Sequence, residues 1–175
     1  MNKPANRGQL GATNYEMHIH ELITVDSVGG LLSGISRLNF ADAPEDSADT
    51  KSSGKLAQNT DIHFFRHGIK PTWEDEGNLG GGRFHIRLRK GIAPRLFEWL
   101  LLSLSNTTRG QWGEQVCGVV LSSRFSEDIL AVWCTKLITD SEFAAGAMRQ
   151  QLRSTLQLPA NHVIDYKPHD QSMRK

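Results

Sequence analysis

The sequence predicts an α+β fold: a curved antiparallel β-sheet with about three helices packed on its convex face. Three observations predict it. Residues 83–89, RFHIRLR, alternate strictly between basic and apolar side chains, the period of a half-buried strand. Residues 115–122 and 129–138 are two β-rich apolar runs joined by a polar turn, the pattern of an antiparallel hairpin. Strands and helices then mix without a βαβ rhythm, which argues against a parallel, doubly wound sheet.

The elements follow in order. Residues 1–13 are polar and marked by Gly and Pro, so a flexible arm is expected before a single domain over 14–170. Residues 15–25 alternate, with Tyr15, Met17 and Ile19 of one parity, and predict a strand. His18 and His20 share its other face; two histidines without a third ligand read as solvent-facing, not as a metal pair. Val28, Leu31, Leu32 and Ile35 have helical spacing over 27–37, with Asp26 or Ser27 as cap. Residues 41–60 are poor in apolar side chains and predict a long mobile loop.

A short strand is expected at 62–66, and then the alternating strand at 83–89. Pro94 suits the first turn of a helix, which runs apolar over 94–105. The hairpin comes next. Residues 141–157 predict an amphipathic helix with Ser141 as cap, a stripe of Phe143, Ala147, Leu152 and Leu156, and Pro159 as stop. A last strand at 162–166 and a basic tail at 171–175 complete the chain.

The 175 residues are enough for one core without staples. Lys+Arg is 20 against Asp+Glu 19, which excludes bulk electrostatic capture of long nucleic acid; any such contact must be local. Two cysteines, Cys117 and Cys134, lie in apolar runs without zinc-type spacing and fit a reducing compartment. No apolar run approaches membrane-spanning length, and the N-terminus lacks the apolar region of a secretory signal. A cytoplasmic protein without a cofactor is expected.

The functional signal is concentrated in residues 69–84, IKPTWEDEGNLGGGRF. Trp73 is followed by Glu74, Asp75 and Glu76, then Asn78, three glycines and Arg83. An indole left on a polar loop forgoes ~2 kcal/mol of burial. It suits a flat ligand that stacks on the ring while an adjacent acid accepts hydrogen bonds from its edge.

Two other readings compete. Residues 64–68, FFRHG, are similar to the Arg-His-Gly of histidine phosphatases, which would make His67 a phosphoryl-transfer nucleophile. That family needs the motif on the first strand of a parallel sheet. Gly80, Gly81 and Gly82 resemble a phosphate loop but lack its lysine and open a strand, not a helix, so a bend is the simpler reading.

The stretch GIKPTWEDEGNLGGGRF, together with residues 94–104, VCGVVLSSRFSEDILAVW and 152–169, closely resembles the eukaryotic translation initiation factor 4E family. The resemblance implies a binding module, not an enzyme, that holds the 7-methylguanosine cap of messenger RNA on the concave side of the sheet. It implies Trp73 as one stacking plate, Tyr15 as the second, and Glu74 as the acceptor for the guanine edge. It makes Trp133 the wall of the methyl pocket, and Arg124 the cap-phosphate ligand with help from Arg83. Where the family carries a phosphate lysine this chain has Ile129, so weaker or more salt-sensitive binding is expected, with Lys136, Lys167, Arg174 and Lys175 as possible substitutes.

The resemblance also implies a dorsal surface for a helix of a 4G-type scaffold or a 4E-binding protein, here altered to Val28, Leu32, Glu98 and Trp99. Trp99 is a candidate anchor if it is exposed there, with burial in the core as the alternative. Within the binding class, a translational repressor is the alternative to an initiation factor.

Overall fold

The computed structural model describes residues 18–38, 59–105 and 115–169. The expected arm, most of the 41–60 loop, Tyr15 and the basic tail lie outside the described residues.

Among these residues five strands form one antiparallel sheet: β1 (Asp61–Phe65), β2 (Gly82–Leu88), β3 (Val116–Ser123), β4 (Asp128–Cys134) and β5 (Ile164–Pro168). Their spatial order is β1-β3-β4-β2-β5. Among the described residues four helices accompany them: α1 (Val28–Leu38), α2 (Ala93–Ser105), the single turn α3 (Lys136–Thr139) and α4 (Glu142–Thr155). No helix among the described residues is long and apolar enough to cross a membrane.

The period-two pattern of β2 decides which face is which. Phe84, Ile86 and Leu88 are buried, while Arg83 and His85 are half-buried and Arg87 is exposed. Phe84 and Ile86 meet Val132 and Leu130 of β4 in register, and those meet Val119 and Leu121 of β3. This face joins the main core with Leu31 and Ile35 of α1, Phe97 and Leu100 of α2, and Met148 and Leu152 of α4. The helices therefore cover one face, as the sequence predicts.

Three expectations need correction. Residues 18–25 are not a strand. Ile23 and Val25 instead rest on Gly34 and Gly30 of α1, where the missing side chains leave room. An alternating pattern cannot make a strand without a neighbour to pair with. In α4, Phe143 is 87 % exposed and Ala147 is exposed too. At 100° per residue Phe143 lies roughly 180° from Leu152, and the buried stripe runs through Met148, Leu152 and on to Leu156. Finally, β4 ends at Cys134, and residues 136–139 turn helically to bury Ile138. The caps follow expectation: Ser27 Oγ accepts from Gly30 N–H at 3.2 Å, and Ser141 Oγ from Ala144 N–H at 3.1 Å.

Candidate functional site

The sheet face away from the helices carries a second, smaller apolar cluster of Cys117, Val120, Ala131 and Trp133, with Phe65 and Ile69 packed on it. Strand register sets out its rows. One row reads Lys167, Arg83, Trp133, Gly118, Phe65 across β5, β2, β4, β3 and β1. The next reads Asp165, His85, Ala131, Val120, His63.

Trp133 is the centre of the first row. Phe65 meets it edge-on at 5.4 Å, and the His169 ring lies 4.4 Å away at 39°. The Arg83 guanidinium carbon sits 5.6 Å from its centroid. Phe65 can lie there because position 118 has no side chain: a Cβ on Gly118 would come within 2.4 Å of the Phe65 ring. The result is a wall of rings with a cation above it, suited to a flat or methylated group.

The loop between β1 and β2, which carries Trp73 and Glu74, is tied to this face at two points. Ile69 packs into the small cluster, and the Cys117 thiol donates to the Gly77 carbonyl at 3.2 Å. Two polar side chains staple the loop from within. Asp75 accepts from Lys70 N–H at 3.0 Å and from Gly77 N–H at 2.9 Å. The buried Asn78 amide donates to the carbonyls of Lys70 and Thr72, each at 2.7 Å.

Gly80 takes a positive φ of 70°. Gly81 lies so close to β4 that a Cβ would meet the Cys134 carbonyl at 2.1 Å. These glycines seat the loop on the sheet; they do not form an anion cradle. Trp73 is left half-buried and Glu74 exposed, with the Trp73 indole N–H donating to the Glu74 carboxylate. Asp75 is used within the loop, while Glu74 and Glu76 are both exposed, and of these Glu74 is the acid bonded to the indole.

Arg124 stands apart. It lies beyond the end of β3, about 20 Å along the strand from Gly118 at the usual rise per residue. Its guanidinium pairs with Asp61 at 2.8 Å and donates to the Ser123 carbonyl at 3.0 Å. Ile129 shares a row with Arg87 and Ser122 between the two ends. On the helix side, Val28 and Leu32 are about half exposed, at 52 % and 50 %, and Glu98 and Trp99 are half-buried. Trp99 leans on the main core, with Arg95 stacked 5.1 Å from its ring.

Sequence reasoning missed His85, Phe65 and His169. His85 was legible only as one member of a basic face, yet its Nε2 accepts from Arg83 Nε at 2.8 Å. Burial, then Arg83 and Lys167, push its pKa down to about 4, against the opposing pull of Asp165.

A family model for eukaryotic initiation factor 4E matches residues 2–175. Eukaryotic translation initiation factor 4E-4 of Caenorhabditis elegans is 40 % identical over 124 residues, covering 71 % of this chain and 57 % of the relative. Eukaryotic translation initiation factor NCBP of Arabidopsis thaliana is 42 % identical over 122 residues, covering 70 % and 54 %. The chain thus matches a little over half the length of these relatives. Among solved structures, Ascaris suum eIF4E-3 in complex with an m7G cap aligns with a TM-score of 0.69 at 25 % identity, covering 88 % of this chain and 80 % of that one. A complex of C. elegans eIF4E-3 with the 4E-binding protein Mextli and a cap analogue aligns with a TM-score of 0.64 at 26 % identity, covering 73 % and 72 %.

Proposed function

The chain belongs to the eukaryotic initiation factor 4E family, and from that premise we propose that it binds the 7-methylguanosine cap of messenger RNA in translation initiation, in the cytoplasm. The observation that supports the reading is the stapled loop, in which the Trp73 indole and the Glu74 carboxylate are bonded side by side, tied through Gly77 and Ile69 to the sheet face that carries Trp133.

The physical logic is direct. Methylation at N7 makes the guanine ring cationic, and Trp73 offers it an electron-rich face. The Glu74 carboxylate accepts from the guanine N1–H and exocyclic N–H, a charge-assisted pair worth ~2–3 kcal/mol. Adenine offers no matching pair of donors. Tyr15 supplies the second plate, and Trp133, flanked by Phe65 and His169, walls the methyl group. Arg83 and Arg124 meet the phosphates. Arg124 must exchange its partly exposed Asp61 partner for a phosphate, a modest cost for a surface ion pair.

The module is a binder and not an enzyme. The histidine-phosphatase reading of His67 lacks its setting, because every strand pairing among the described residues is antiparallel. A partner helix of a 4G-type scaffold or 4E-binding protein docks on Val28, Leu32, Glu98 and Trp99; replacing Trp99 by Ala weakens that docking and leaves cap binding intact.

The test is retention on 7-methylguanosine resin with release by cap analogue but not by GTP. Release by GTP as readily, or no retention, overturns the reading. Since Ile129 adds no charge, affinity is carried by few phosphate contacts and falls with salt in proportion to their number.

A further inference from the structure

We infer that His85 is a positioning residue: its Nε2 holds the Arg83 guanidinium in place between Trp133 and the β5 edge, so that Arg83 and Lys167 meet cap phosphates as a pair. The inference rests on the cap-binding reading. It names a residue through which this chain offsets the missing charge at position 129.

The geometry is specific. An arginine side chain has many rotamers and donates from every guanidinium nitrogen. Here Nε is committed to His85 at 2.8 Å, and the guanidinium carbon rests 5.6 Å from the Trp133 centroid. Both ends of the arrangement are strand residues in register: Lys167 pairs with Arg83, and Asp165 pairs with His85. The charged groups facing His85 are Arg83 and Arg87 on its own strand and Asp165 and Lys167 on β5; β4 presents only Ala131.

The basic neighbours and burial keep the imidazole neutral, so Nε2 is an acceptor and the proton resides on Nδ1. An aliphatic side chain at 85 would fill the same space between Ala131 and Asp165 but remove the acceptor at Nε. The guanidinium would then be held less tightly, and each phosphate contact would carry part of that ordering cost.

The experiment uses the full chain and two probes, 7-methylguanosine triphosphate and the 7-methylguanosine nucleoside, titrated by tryptophan fluorescence. His85→Leu is expected to weaken the triphosphate about five- to tenfold and the nucleoside less than about twofold. His85→Gln, which keeps an acceptor, restores most of the loss. In an Arg83→Ala background, His85→Leu has no further effect. Equal losses for both probes, or an undiminished loss without Arg83, overturn the inference and leave the cap reading standing. A native chain that binds neither probe overturns the cap reading and the inference with it. Thermal unfolding of each variant separates loss of fold from loss of contact, and the Gln variant supplies the comparison where Leu unfolds.

Discussion

The Phe65 ring lies directly across the backbone of Gly118, its partner in the β1–β3 ladder, and from there meets Trp133 edge-on at 5.4 Å. The contact needs a bare Cα. Gly118→Ala is expected to drive the ring off, destabilise the fold by about 1–3 kcal/mol and loosen Trp133. Denaturant midpoints and cap titrations should both shift; an unchanged midpoint would show that Phe65 swings aside without cost.

Glu74 serves two partners. It accepts from the Trp73 indole N–H, and in the proposed complex from guanine. Glu74→Gln keeps an acceptor for the indole but loses the charge. Affinity for cap analogue should fall about tenfold to a hundredfold, while quenching at saturation persists. Trp73→Ala should abolish most of the quenching. If Glu74→Gln binds as tightly as the native chain, the guanine edge is read elsewhere.

Asn78 is buried, and its amide satisfies two loop carbonyls. Asn78→Ala strands both, at about 2–3 kcal/mol of stability. Amide hydrogen exchange over residues 69–81 should rise first, ahead of global unfolding. Exchange that rises equally in β3 and β4 would mean the loop has no separate stability.

Two histidines predict the acid response. Burial holds His63 below its ordinary range and, with Arg83 and Lys167, holds His85 at about 4. Both are neutral in the fold and take up protons more readily when unfolded. Their stabilising contribution is complete above pH ~6.5 and is lost as pH falls from there, for His85 down to about 4. Denaturant midpoints should drop across that window, and the paired variant His63→Gln with His85→Gln should flatten the drop. An equally steep drop in that variant would assign it to other groups.

The sheet was legible because β2 and the β3–β4 hairpin carry their burial pattern in adjacent residues. The 18–25 segment was misread because pairing is a property of neighbours, not of periodicity. Phe143 is large and apolar, yet its place on the helix, roughly 180° from Leu152, turns it to solvent, and size alone does not reveal that angle. Trp73 and Glu74 were visible as a motif. The partners that set their surroundings were not: Asp61 for Arg124, His85 for Arg83 and Phe65 for Trp133 come from other strands or turn on a side chain's tautomer.

The thiol that tethers the loop also makes it possible to time its motion. Cys117 is fully buried against the Gly77 carbonyl, and burial pushes its pKa up to about 11. At neutral pH roughly one such thiol in ten thousand is ionised, so alkylating reagents find almost nothing to attack while the loop is seated. Labelling of Cys117 therefore counts the moments when residues 69–81 lift away from β3. A ligand that clamps Trp73 should lengthen the interval between those moments, and this native side chain would register it without an added probe.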